Sequence, residues 1–187
     1  MDIYLIRHTQ TTAPAGLCYG QTDLGLAESF ADDARLVQQK LPVLRADCRV
    51  FSSPLQRCLE LAYLLSDTVT TDPRLLEINF GDWEGQRFDD INTTSLQHWS
   101  EHFVEQAPPN GECFTDLYLR IGSFWQELLQ HPAEEVLVIT HAGCIRALLA
   151  QILALPLANA FHFKVDLGSV HKLQQVSDYT YINYLNL

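Results

Sequence analysis

The sequence offers little cysteine chemistry. Its five cysteines are Cys18, Cys48, Cys58, Cys113 and Cys144, and no two form a C-x-x-C pair. An odd count without such pairs argues against a disulfide framework or a zinc knuckle, and predicts reduced thiols in a cytoplasmic protein. Positive charge is also scarce, with 12 Lys and Arg against 23 Asp and Glu, for a formal net charge of −11. A nucleic-acid backbone repels such a surface, so no nucleic-acid partner is expected. A small anionic ligand is still allowed, provided that Arg and His gather locally against the global sign. No apolar run approaches the ~20 residues of a membrane-spanning helix, so no membrane span is expected. The opening run Ile3 to Ile6 follows an acidic Asp2 and is too short for a signal peptide. Repeats and low-complexity segments are absent, and the oligomeric state leaves no trace in the sequence.

What is present is an ordinary globular composition, 47% apolar and 19% charged over 187 residues. That length suits one domain, residues 1–187, with a full core. Ile3 to Ile6 reads as a strand buried on both faces. Residues 13–25 read as a Gly- and Pro-rich loop. Leu26, Phe30, Leu36 or Val37, and Leu41 recur at helical spacing up to Pro42. Asp47 to Ser53 predicts a second strand. Ser52-Ser53-Pro54 then predicts a helix start with a Ser cap, whose inner stripe is Leu55, Leu59, Ala62 and Leu65. A weak third strand covers Val69 to Thr71, and 74–92 looks irregular. Helices are expected over 93–105 and 112–130. Glu135 to Thr140 is the strongest strand, followed by a helix through Leu153, and two β-like runs, 168–176 and 179–185, close the chain.

Strands alternating with helices imply an α/β fold, a three-layer α/β/α sandwich with a mostly parallel central sheet. A small helical and loop excursion, about 80–115, is expected over the site. In such sheets ligands bind beyond the carboxyl ends of the strands. Arg7-His8, the segment Ser52 to Arg57, and His141 all lie at such ends and are therefore expected to converge.

Two imidazoles, two guanidiniums and a carboxylate suit phosphoryl transfer. Guanidinium offers planar, bidentate donors to phosphoryl oxygens. Neutral imidazole is a competent nucleophile, and a second imidazole can stabilise the equatorial oxygens. A positioned carboxylic acid can protonate the leaving oxygen. No H-E-x-x-H pattern occurs, and clustered arginines would repel a cation, so neither a metal nor another cofactor is expected.

Four segments resemble the histidine phosphatase superfamily, the phosphoglycerate mutase-like enzymes. Arg7-His8-Thr9 resembles its R-H-G/T signature, and Ser53-Pro54-Leu55-Gln56-Arg57 falls in its S-x-x-x-R segment. Leu76 to Gly85 resembles L-x-E-x-x-F-G-x-W-E-G, and Thr140-His141-Ala142-Gly143 resembles S/T-H-x-G. The resemblance implies roles. His8 would be the phosphorylated nucleophile. Arg7, Arg57 and His141 would bind phosphoryl oxygens, and Glu77 would serve as the acid that later activates water. Ala142 would add a backbone N–H. Glu84 reads as a structural loop partner, with Gly81 and Gly85 at tight turns.

The chain departs from the common R-H-G-E-x-x-x-N form, with Thr9, Gln10 and, at the Asn position, Pro14. The run Gly16-Leu17-Cys18-Tyr19-Gly20-Gln21-Thr22-Asp23 resembles instead the alpha-ribazole phosphatases. This implies hydrolysis of a small phosphorylated substrate, alpha-ribazole 5′-phosphate or a cobalamin 5′-phosphate, in cobalamin nucleotide-loop assembly. The alternatives are a broad or sugar-phosphate phosphatase, a mutase-like enzyme, and an inactive phosphate-binding module. Gln21 either contacts substrate or stabilises the loop. The aromatic residues Phe80, Trp83, Phe88, Trp99, Phe103 and Phe114 form either a lid over a base-like substrate or a satellite apolar cluster.

Overall fold

A computed structural model describes all of residues 1–187. Six strands form one sheet: β1 (Asp2–Arg7), β2 (Arg49–Ser52), β3 (Thr70–Thr71), β4 (Glu135–Thr140), β5 (Val170–Val176) and β6 (Tyr179–Tyr184). Their order is β3-β2-β4-β1-β5-β6. The first four run parallel, and β5 and β6 add an antiparallel edge. The expected α/β sandwich is therefore present, built on a mixed sheet.

The central strands are apolar throughout because both faces are covered. Ile3 and Leu5 of β1, with Val136 and Val138 of β4, enter one core, against α4 (Phe114–Leu128) and α5 (Ala142–Ile152). Tyr4, Ile6, Leu137 and Ile139 alternate into the other core, against α1 (Phe30–Lys40) and α2 (Gln56–Leu65). The remaining helix, α3 (Thr93–His102), packs Leu96 and Trp99 against a third, smaller core of Cys18, Trp83 and Ile91.

Two expectations about the helices need correction. Leu26 stands outside α1 and bridges Thr11 instead, while of the two alternatives Leu36 and Val37 it is Val37 that faces inward. Helix α2 begins at Gln56, with no side-chain cap from Leu55. The Ser53 hydroxyl is engaged elsewhere, and the Asp23 carboxylate accepts the Gln56 N–H at 2.8 Å, so the cap comes from a distant loop. The inner stripe of α2 shifts accordingly, to Arg57, Cys58, Leu61 and Ala62.

Register sets the site. β1 pairs with β4 so that Arg7 lies opposite Thr140, and β2 pairs with β4 so that Ser52 lies opposite Ile139. The residues that follow, His8, His141 and Ser53, therefore leave three neighbouring strands at one edge, with Ser53 one residue behind the two histidines. Backbone hydrogen bonds continue the pattern, His8 N to Thr140 O at 3.1 Å and Ser53 N to Ile139 O at 3.0 Å.

Candidate active site

The two imidazoles meet. The His8 and His141 ring centroids are 5.2 Å apart at an interplanar angle of 61°. Both side chains are buried, as are Ser53 and Arg57. The His8 Nδ1 lies 2.7 Å from the Thr9 carbonyl oxygen. A carbonyl only accepts, so Nδ1 carries the proton and Nε2 keeps its lone pair. Burial holds the His8 ring far below its ordinary value, at about 3, and the charges of Arg57 and Arg7 push the same way. His141 is lowered well below its ordinary value by burial and then by His8, Arg57 and Arg7. Its Nε2 is 2.8 Å from the Ser53 hydroxyl and 3.5 Å from the Cys58 sulfur. Without an anion, both rings are thus neutral beside two permanent cations.

Arg57 is wholly buried on α2. Its Nη1 donates to the Thr22 carbonyl at 2.8 Å and its Nη2 to the Gly20 carbonyl. The guanidinium carbon lies 5.4 Å from the Tyr19 ring centroid. Arg7 donates from Nη1 to the Val165 carbonyl at 2.8 Å. Neither guanidinium touches a carboxylate within ion-pair distance, and the Nε of each is buried without a partner. A guanidinium has five N–H donors, so most of these donors are free of protein acceptors. A buried cation without a counter-ion is costly, and an oxyanion between the two would relieve that cost.

Glu77 stands at the edge of this cluster. Its Oε1 accepts from Ile78 N at 2.9 Å and its Oε2 from Gly143 N at 3.0 Å, at the positive N-terminus of α5. Gln21 is placed beside it and donates from Nε2 to the Glu77 carbonyl at 3.0 Å. Ala142 opens α5 next to Gly143, facing the same cleft as Glu77. Glu84 anchors the Gly20–Thr22 loop. Its Oε1 accepts from Gln21 N at 2.8 Å and Phe80 N at 3.1 Å, and its Oε2 accepts from Thr22 N at 2.6 Å and from the Thr22 hydroxyl. Burial alone would raise the Glu84 carboxyl, but these donors outweigh it and hold the group below its usual range. Gly81 and Gly85 sit at φ values of 54° and 82°, in the left-handed region where glycine is favoured.

Several supporting residues carry no motif signal. Arg120 forms a bidentate pair with Glu112 at 3.0 and 2.9 Å, and donates to the carbonyls of Arg74, Leu76 and Glu77. It holds the backbone that presents Glu77. Ser53, by contrast, falls in the S-x-x-x-R segment, and its hydroxyl meets His141 rather than capping α2. Arg146 was missed, although it lies one helical turn beyond Ala142, a spacing that places both on one face. His98 and His102 stand one turn apart on α3 with ring centroids 4.6 Å apart. No group of three or more His, Cys, Asp or Glu side chains is arranged to hold a metal ion. No helix is long and apolar enough to cross a membrane.

The chain matches the family model described as "Histidine phosphatase superfamily (branch 1)" over residues 3–187. It belongs to that superfamily. It is 32% identical over 178 residues to the adenosylcobalamin/alpha-ribazole phosphatase of Escherichia coli (strain K12), covering 90% of this chain and 87% of that protein. The crystal structure of the alpha-ribazole phosphatase from Shigella flexneri superposes with a TM-score of 0.92 at 28% identity, covering 100% of this chain and 96% of that one. A mycobacterial glucosyl-3-phosphoglycerate phosphatase superposes at 0.83 and 27% identity, covering 99% of this chain and 98% of that one. The chain is accordingly a phosphatase, a hydrolase acting on small phosphorylated compounds.

Proposed function

We propose that this phosphatase hydrolyses alpha-ribazole 5′-phosphate, or the equivalent adenosylcobalamin 5′-phosphate, through a phosphohistidine at His8. The observation that carries the mechanism is the orientation of His8, with Nδ1–H directed to the Thr9 carbonyl and the Nε2 lone pair left to attack. In the first transfer, Nε2 forms a bond to phosphorus as the phosphorus–oxygen bond to the leaving group breaks. The Glu77 carboxyl gives its proton to the departing oxygen. Arg7, Arg57 and His141 bind the equatorial oxygens, joined by the Ala142 N–H at the start of α5. In the second transfer, water attacks phosphorus, Glu77 takes its proton, and the nitrogen–phosphorus bond breaks. No step requires a metal. Gln21 holds the Glu77 backbone through its Nε2.

The substrate rests on the alpha-ribazole phosphatase relatives and on the Gly16–Asp23 run. We read the chain as one domain, with residues 80–115 as the cover of the cleft. Five free thiols suit a reducing compartment such as the cytoplasm.

The test is single-turnover labelling with a phosphorus-32 substrate, in the presence of EDTA. Acid-labile, base-stable label on the wild type and none on His8→Ala is expected, with kcat reduced by at least ~1,000-fold in the variant. Wild-type turnover abolished by EDTA, or full activity in His8→Ala, would refute the mechanism. Alpha-ribazole phosphate turned over no faster than p-nitrophenyl phosphate would refute the substrate.

A further inference from the structure

Beside Glu77 the cleft opens into a trough of about 240 Å³. Its walls are aromatic, formed chiefly by Tyr19, Phe80, Trp99, Phe103 and Phe161, and its only charged lining residues are Glu77 and Arg146. The walls are interlocked: Phe80 and Trp99 rings stand 5.7 Å apart at 66°, and Phe103 and Phe161 rings 4.9 Å apart at 79°. Edge-to-face pairs of this kind keep an apolar slot open in shape and closed to charge. The volume lies just below the ~300–1,000 Å³ typical of drug-sized ligand sites, so the trough suits a ring system rather than a large ligand.

One polar side chain, Arg146, stands in that apolar lining without being satisfied by the protein. Trp99 contributes its ring as a wall, packed against Phe80, Trp83 and Phe103. Arg146 makes a single hydrogen bond, Nε to the Phe163 carbonyl at 3.1 Å, and its guanidinium carbon lies 5.0 Å from the Phe161 ring centroid. It has no carboxylate within ion-pair distance. Burial lowers it from its usual value, Arg7 adds to this, and Glu77 opposes. Both of its Nη groups are therefore free at the junction between the phosphoryl cluster and the aromatic trough.

Glu77 and Ala142, at the edge of the phosphoryl cluster, line the same trough as Arg146 and the aromatic walls. We propose that Arg146 is a specificity-determining residue that donates to the sugar hydroxyls of the leaving group, while the aromatic trough, with Trp99 as one wall, receives its flat ring. This rests on the phosphohistidine reading of the same site and deepens it, because neither guanidinium of the phosphoryl cluster is involved.

Three probes separate the parts: ribose 5-phosphate has the sugar, p-nitrophenyl phosphate has a ring, and alpha-ribazole 5′-phosphate has both. In Arg146→Met, the ratio of kcat/KM for each sugar-bearing probe to that for p-nitrophenyl phosphate is expected to fall at least ~10-fold. Arg146→Lys, which keeps the charge and loses the fork, should give an intermediate fall. In Trp99→Leu the pattern changes: alpha-ribazole 5′-phosphate and p-nitrophenyl phosphate should both lose relative to ribose 5-phosphate. An unchanged probe ratio in Arg146→Met overturns the sugar contact. Equal losses on all three probes overturn it as well, since they would place Arg146 on the phosphate. Labelling of His8 is scored separately, so a wild type that labels normally alongside unchanged ratios refutes this inference and leaves the chemistry standing.

Discussion

Glu84→Gln tests whether the Gly20–Thr22 loop is held by charge and whether that loop in turn positions Arg57. The carboxylate receives three backbone N–H groups and one hydroxyl. An amide can keep the pair on Oε1, from Gln21 and Phe80, but then presents NH₂ to the Thr22 N–H. Both charge-assisted hydrogen bonds on Oε2 are lost; the Thr22 hydroxyl can turn to accept from the NH₂, but the Thr22 N–H stays opposed, at ~1.5–3 kcal/mol for that one bond. Glu84 is half-buried and water can answer part of the loss, so ~2 kcal/mol is expected overall. For a chain of this size that lowers Tm by roughly 4–8 °C. The same loop supplies the Gly20 and Thr22 carbonyls that accept from Arg57. Its loosening should weaken inorganic phosphate or vanadate by ~10-fold, equivalent to ~1.4 kcal/mol. Urea unfolding and vanadate inhibition measure the two effects. The folded-state pKa of Glu84 is lowered, so its contribution is present above its unfolded value of 4.5 and is lost as pH falls through the folded value. The gap between wild type and variant should therefore be full at pH 7.5 and shrink in acid. A gap below ~0.5 kcal/mol at pH 7.5, or one that does not narrow in acid, would refute the argument.

Acid should destabilise the protein through its buried histidines. His8 at about 3 and His171 at about 4 are both lowered chiefly by burial, and His141 is lowered too. Between those values and 6.5 the unfolded chain binds more protons, so each adds a slope of up to ~1.4 kcal/mol per pH unit, with stability falling as pH falls. Urea midpoints measured from pH 7.5 to 5.0 check this, and His171→Gln should flatten the slope. Gly143→Ala places a Cβ 2.2 Å from the Glu77 Oε1 and 3.1 Å from a Leu117 methyl. The flexible carboxylate must swing away, so kcat should drop ~100-fold with stability lowered by only ~1 kcal/mol, read by steady-state assay and urea unfolding.

The apolar runs Ile3–Ile6 and Val136–Ile139 by themselves determined two strands buried on both faces, because a sheet covered by helices admits no polar alternation there. The motifs also named Arg7, His8, Arg57, Glu77 and His141, since their residue types and local spacing are properties of short segments. Tertiary structure alone decided how these groups are used. The His8 tautomer depends on where the Thr9 carbonyl turns at the end of β1. Ser53 reads locally as a cap, yet the register of β2 on β4 takes its hydroxyl to His141. The cap of α2 comes from Asp23, 33 positions away, and Gly143 reaches Glu77 across 66 positions. Contacts at such separations are fixed by strand register and helix packing, which no local periodicity encodes. Arg146 stayed hidden for the same reason: one more arginine on a buried helix carries meaning only once the aromatic trough beside it has formed.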